Sequence, residues 1–427
     1  MIPAGVDPHE AARGPGRVLA RGVCAALIGL LAAAPAAAQE SRREVLEAQR
    51  AERATQLAPY APGRIEKLLN YVEQQRLIER FFGGDGLYPI LGSLHRSGGF
   101  AFGGGYRQHV AGRRLLFNVG AGMTLKGYRV ATGEISAPYL AGERLSLTGR
   151  VRYRYLPQED YYGIGDDSFK DNRTNFLLED TEFAGIARFR PREWLIVSGK
   201  LALVDPRIGT GTDKLYPTTG ELFSEVTAPG LERQPNFLER GLLVEVDTRD
   251  QPGNPRSGTY VSMLAVGYGD RDDLGYDFTR TGGEVQQYFP IFDKKRVIAL
   301  RAAFNQYEPG SGSVVPFYYI LPIGGKDSIR GFNDFRFRDL KAVLLNAEYR
   351  WEAFSGLDMA LFYDVGQVGR RWDDISFGGL RHSWGLGFRF NTYRAVFLRT
   401  EIAFNSGEGT RFYVAFSGPL RLDRYLR

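Results

Sequence analysis

The sequence predicts an all-β chain, a sixteen-stranded transmembrane β-barrel of the bacterial outer membrane, preceded by a short N-terminal amphipathic helix. Three observations predict it. Apolar and polar residues alternate with period two in segments of about ten or more residues, across roughly 330 residues without a helical interruption. Aromatics are plentiful, with 28 Phe, 23 Tyr and 4 Trp, as the interfacial girdles of a barrel require. The connections alternate between short and long, like the periplasmic turns and outside loops of such barrels. A soluble tandem of β-sandwiches is the competing reading of the alternation alone.

The N-terminus reads as a targeting segment. Arg13, Arg17 and Arg21 precede the apolar run "VCAALIGLLAAA" at 23–34, and small residues follow at Ala36 and Ala38. A positive lead, a short apolar core and an A-x-A site predict a signal peptide, 1–38, cleaved after Ala38. Cleavage removes Cys24, the only cysteine, and with it disulfides and thiolate metal sites. No later run reaches the ~18 apolar residues of a membrane helix. The formal charge is +6, and the leader holds three arginines against Asp7 and Glu10. The remaining charge of about +5 is too diffuse to indicate nucleic acid.

Residues 39–85 are expected to be periplasmic. They comprise a charged lead and one amphipathic helix over 64–82, with Ile65, Leu68, Leu69 and Val72 on one stripe. That helix suits a plug in the lumen, a lipid-surface anchor or a dock for a separate periplasmic protein.

The barrel is expected over 86–420, with a C-terminal tail at 421–427. The sixteen strands are placed near 87–96, 99–109, 114–126, 128–139, 144–160, 175–190, 194–206, 238–250, 258–269, 276–290, 295–307, 340–354, 357–369, 380–392, 395–405 and 410–418. In "LSLTGRVRYRY", Leu145, Leu147, Val151 and Tyr153 oppose Ser146, Thr148, Arg150, Arg152 and Arg154. In "VLLNAEYRW", Leu345, Ala347, Tyr349 and Trp351 oppose Asn346, Glu348 and Arg350. The long connections follow strands 5, 7, 11 and 13, whereas "LAGE", "RPRE", "IFDKK" and "TYR" follow strands 4, 6, 10 and 14. An even count returns the C-terminus to the periplasm.

Three stretches stand out in order. They are "DTRDQPGNPRSGTYVSM" at 247–263, "PFYYILPIGGKDSIRGF" at 316–332 and "LFYDVGQVG" at 361–369. Together they resemble the bacterial surface antigen family of outer-membrane assembly factors, with members such as BamA, TamA and FhaC. The first is similar to the family turn D-x-R-D-N-P-x-x-P-x-x-G, through Asp247, Arg249, Asp250, Pro252, Pro255 and Gly258, with Gln251 where Asn is common. The second resembles the long sixth outside loop with its [VI]-R-G-[FY] tip, here Arg330, Gly331 and Phe332. The third resembles a D-x-G strand, here Asp364 and Gly366. The resemblance implies that the loop folds into the lumen and that Arg330 meets acidic residues on the inner wall. Glu348 and Asp364 stand where the family has those partners. Their parity agrees, since each lies opposite the apolar face of its strand. A guanidinium held by two carboxylates makes bidentate, charge-assisted hydrogen bonds that fix geometry.

The family also carries POTRA modules before the barrel. The 47 residues from Gln39 to Asp85 are too few for one, so a short member is expected. The chain runs past Phe416, and either Phe416 or Leu420 is expected to serve as the terminal signal of such barrels.

No catalytic motif is present. His95, His109 and His382 lack metal-ligand spacing, and the acidic stretches at 165–171 and 269–277 read as solvated turns, with Ca²⁺ held by carboxylate oxygens as the alternative. The expectation is therefore a non-enzymatic barrel without cofactor or metal, in contact with outer-membrane lipid. It would insert or translocate polypeptides or lipid, with unfolded clients or a separate periplasmic protein as partners and no nucleic acid. The alternative is a passive channel, or a structural or partner-docking barrel without insertase activity. Arg150, Arg152 and Arg154 suggest an anion pathway as a further option.

Overall fold

The computed structural model describes residues 47–48 and 84–416, apart from 355, 392–395 and 406. The signal segment, the 64–82 helix and the 421–427 tail lie outside the described residues. Sixteen strands follow one another in chain order. They are β1 Gly86–Gly92, β2 Ala101–Val110, β3 Leu115–Thr124, β4 Arg129–Leu140, β5 Leu145–Tyr161, β6 Thr174–Arg192, β7 Leu195–Thr210, β8 Phe237–Asp247, β9 Gly258–Asp270, β10 Phe278–Ile291, β11 Arg296–Pro309, β12 Lys341–Phe354, β13 Leu357–Gly369, β14 Arg381–Asn391, β15 Val396–Phe404 and β16 Thr410–Phe416.

Each strand pairs antiparallel with the next, in a single sheet ordered β1 to β16. The sheet curls into a nearly closed barrel. Among the described residues no ladder pairs β1 with β16, so one seam remains. Strand number, order and direction agree with the sequence-based expectation. Boundaries differ by up to four residues: β1 stops at Gly92 rather than continuing to 96, β7 runs on to Thr210 rather than stopping at 206, and β8 stops at Asp247 rather than 250. Gly92 has φ of +134°, which turns the chain out of the ladder, and the Ser93 hydroxyl donates to the His95 carbonyl at 2.9 Å.

The two faces identify the solvent on each side. Leu201, Phe183, Leu345, Trp384 and Phe412 point outward and are at least half exposed. The inner face is ionic. Arg150 donates to Glu182 at 2.7 Å, and Lys200 bridges Glu182 at 2.7 Å and Glu239 at 2.9 Å. Apolar residues outside and charges within are the arrangement of a membrane barrel. The ion ladder also pairs Arg150, Arg152 and Arg154 with Glu182 and Asp180, so the arginine row is matched by acid.

The connection 310–340, between β11 and β12, is the apolar loop. Its composition suits its place, because it packs inside the barrel instead of on the surface. Ile323, Ile329, Phe332 and Phe337 form one buried cluster with Ala342, Leu344 and Val368 of the wall. Val315 and Ile320 join a second cluster under β6 to β11. Phe317 packs with Tyr161, Phe176 and Ala228, where the 211–236 connection covers it. That connection carries one short helix, α1, Thr219–Leu222. Each buried Ile or Phe side chain favours the seated loop by ~1.5–3 kcal/mol over the same group in water.

Candidate functional site

The loop tip is shaped by its own backbone before it meets the wall. Ile323 and Phe337 exchange N–H···O bonds of 2.9 and 3.0 Å, and Gly325 N–H reaches the Phe332 carbonyl at 3.1 Å. The Ser328 hydroxyl accepts from Gly324 N–H at 2.8 Å and donates to the Gly324 carbonyl at 2.9 Å. This small hairpin leaves Arg330 at the apex, 3% exposed.

Three strands supply its carboxylates. Asp364 on β13 takes the guanidinium edge-on, with Nε to Oδ2 at 2.7 Å and Nη2 to Oδ1 at 2.6 Å. The backbone N–H of Arg330 adds a bond of 3.1 Å to the same carboxylate. Nη1 donates to Glu348 of β12 at 2.6 Å and to Glu401 of β15 at 3.0 Å. The Phe362 ring lies 3.5 Å from the guanidinium carbon, a cation–π contact in a shielded place.

Asp364 is oriented in turn. Asn346 donates to it at 2.7 Å and Ser383 at 3.4 Å, while Asn346 also donates to the Ser328 carbonyl at 2.9 Å. Three acids around one cation would repel one another, and further arginines offset this. Arg350 and Arg389 each donate to Glu348 at 2.8 Å, and Arg399 lies 3.4 Å from Glu401. The arrangement can hold a loop segment rigidly against β12, β13 and β15.

Glycine makes the close approach possible at two points. A Cβ on Gly331 would lie 2.6 Å from Ser383 Cβ and 2.9 Å from Asn405 Cβ. One on Gly366 would lie 2.8 Å from the Val343 carbonyl and 2.9 Å from Ile329 Cδ1. Beyond the arginine, Asn405 donates to the Gly331 carbonyl, and the Tyr413 hydroxyl of β16 donates to the Phe332 carbonyl at 2.7 Å. The loop thus reaches the last strand.

The turn motif closes the barrel floor below. Arg249 forks onto Asp247 at 2.8 and 2.7 Å and lies over the Tyr260 ring. Asp250 accepts N–H bonds from Gln251, Arg256 and Ser257 at 3.0 to 3.2 Å, and its other oxygen accepts from Lys294 at 3.0 Å. Partial burial works against ionisation at Asp250, but these donors overcome it and hold the carboxyl well below the usual carboxylate range. Gly258 has φ of +100°, and a Cβ there would strike the Thr248 carbonyl at 2.3 Å. Pro252 and Pro255 line a cavity of about 390 Å³ whose opposite wall includes Arg330, Glu348 and Arg350. Two motifs some 75 residues apart therefore face one chamber.

Sequence reasoning missed Glu401, Arg389 and Asn346. Glu401 had a readable signal, because Arg399, Glu401 and Ala403 alternate with Leu398, Thr400 and Ile402. The histidines keep separate company: Glu159 lies 3.2 Å from His95, Asp85 2.5 Å from His109 and the Tyr363 hydroxyl 3.0 Å from His382. Among the described residues no cluster of His, Cys, Asp and Glu could hold a metal. The acidic stretches tie their own loops. Asp270 accepts from the N–H groups of Asp272, Leu274 and Tyr276, and Asp166 accepts from Arg381.

Residues 236–417 match the Omp85 superfamily domain. Among solved structures the chain is similar to BamA from Haemophilus ducreyi lacking POTRA domains 1–3. The identity is 14% and the TM-score 0.57, over 81% of this chain and 77% of that one. CdiB from Escherichia coli is more distant, at 13% identity and TM-score 0.49, over 77% of this chain and 62% of that one. At such identities the BamA likeness bears on the fold alone, and the CdiB likeness carries no argument. No curated protein matches at a significant level.

Proposed function

We propose that this outer-membrane barrel, an Omp85-family chain through residues 236–417, assists polypeptide insertion or translocation, with the arginine-tipped loop as its latch. The observation that carries the reading is the Arg330 constellation, which ties one loop to β12, β13 and β15, while Phe332 ties it to β16. A seated loop braces the strands leading to the seam. β16 and β1 both lack a ladder partner at the seam among the described residues, and β1 carries Pro89, which has no N–H to donate. Unpaired strand edges are templates for an incoming strand. Loosening the latch would free β16 to accept one, and reseating it would restore the wall.

The test uses liposomes containing wild type or Arg330→Ala, each verified as folded by its heat-modifiable gel band. An unrelated barrel protein is added unfolded and its folding is timed. The expected result is acceleration by the wild type that Arg330→Ala abolishes. No acceleration by either would sink the reading and leave a barrel without insertase activity. A second arm locks β1 to β16 with paired cysteines; activity that survives the lock would remove the seam from the mechanism.

A further inference from the structure

We propose that the outward face over β5 to β9 binds a phosphate-bearing lipid of the outer leaflet, with its phosphate on Arg240 and an acyl chain in the trough beside it. Arg240 alternates with Glu239, which is buried in the lumen against Lys200, so its side chain faces lipid. It is exposed, with Leu201 and Gly267 as its cross-strand neighbours and Leu238 and Leu242 above and below on the same face. Among the described residues its side chain makes no hydrogen bond or ion pair. The outward charges nearby lie nearer the rim, where Asp205 and Arg207 pair at 3.2 Å.

Height places Arg240 in the outer leaflet. It lies seven residues above Asp247, the periplasmic end of β8. At ~3.3 Å per residue and ~40° of tilt that is about 18 Å up an apolar band ~25 Å tall. An unpaired arginine is disfavoured deep in hydrocarbon, much less so near the interface, and its long stem lets the guanidinium rise to a headgroup. A phosphate there would receive the planar fork bidentately.

The trough beside Arg240 is a shallow, open depression of about 870 Å³, between Ile135, Leu147 and Leu242, over a floor formed by Gly149, Gly185 and Gly199. Neither backbone nor packing asks for glycine at 185 or 199. Neither has left-handed φ, and a Cβ at either would meet nothing within 4 Å. Glycine inside a strand weakens the sheet, and besides bulges and corner bends it occurs where a ligand or another chain approaches the backbone closely. A lipid chain is the external body that this face meets, and the cation beside it selects a headgroup with negative charge.

The test is native mass spectrometry of the full-length protein in detergent. The probes are an acylated glucosamine disaccharide lipid carrying two phosphates and the same lipid enzymatically dephosphorylated. Variants are Arg240→Gln, Arg240→Lys and Gly185→Leu, which fills the trough without touching the arginine. All are compared at equal heat-modifiable folding. Wild type should retain the phosphorylated lipid at roughly tenfold lower concentration than Arg240→Gln, the loss expected for a charge-assisted bond. Arg240→Lys should fall between, Gly185→Leu should also weaken retention, and millimolar inorganic phosphate should not displace the lipid. Equal retention by Arg240→Gln, equal retention of the dephosphorylated lipid, or a protein dimer covering this face in place of lipid would overturn the proposal.

Discussion

Arg330→Met removes the charge of the latch but keeps an unbranched chain of similar reach. The three carboxylates are not left alike. Glu348 keeps Arg350 and Arg389, and Glu401 keeps Arg399 at 3.4 Å and Arg389 at 3.6 Å. Asp364 keeps only Asn346, Ser383 and the backbone N–H of residue 330, with its side chain 0% exposed. The cost therefore concentrates on Asp364, as an uncompensated buried carboxylate worth ~3–5 kcal/mol. At about 1.4 kcal/mol per tenfold, that shifts the seated-to-unseated ratio of the loop by a hundredfold or more. Limited proteolysis in detergent reads this ratio, since an unseated loop offers the 322–336 backbone to the protease. Adding Asp364→Asn to Arg330→Met removes the stranded charge and should recover most of the protection. A double variant no better protected than Arg330→Met would refute the assignment of the cost to Asp364.

Gly331→Ala forces a Cβ to 2.6 Å from Ser383, so the loop should lose ~1–3 kcal/mol of seating, visible as faster proteolysis with Arg330 intact. Lys200→Met strands Glu239 in the inner ladder; a drop of ~3–5 kcal/mol in resistance to urea is expected, with unchanged conductance if the ladder is structural. The carboxyl pKa of Asp250 is lowered in the folded chain, so its contribution is fully present above the ordinary carboxylate pKa of ~3.9 and is lost as pH falls through the lower folded value. The hydrogen-exchange protection factors of Gln251, Arg256 and Ser257, corrected for the intrinsic rate at each pH, should accordingly fall on acidification, and Asp250→Asn should flatten that response.

The strands were readable because a pleated chain has a side-chain period of two, and sixteen such runs leave little freedom for another arrangement. The end of β1 was not, because Gly92 turns the chain for reasons of loop geometry that alternation does not encode. At the site, Glu348 and Asp364 announce an inward orientation by parity, and an apolar loop tipped by Arg330 announces a buried cation in need of acid. Glu401 has the same parity, but so do many inward charges. Which of them faces Arg330 depends on how far β15 is staggered against β12 in the closed wall, a property of the whole sheet. Arg240 was silent for a related reason. In "LERGLLVEV" it reads as one half of an ordinary acid–base neighbour pair until the faces are assigned.

The strands differ greatly in length, from 19 residues in β6 to seven in β1. At ~3.3 Å per residue and ~40° of tilt, β6 climbs about 48 Å while β1 climbs about 18 Å, less than the ~25 Å apolar band of such barrels. A bilayer matched to β1 would be thinner there than beside β6. At fractions of a kcal/mol per Å of mismatch, elastic strain on the order of a few kcal/mol would gather beside the unpaired edge of β1. In the insertion cycle proposed above, anything that lengthened that edge would relax the lipid as well as the protein, and the membrane itself would be one of the forces drawing a strand to the seam.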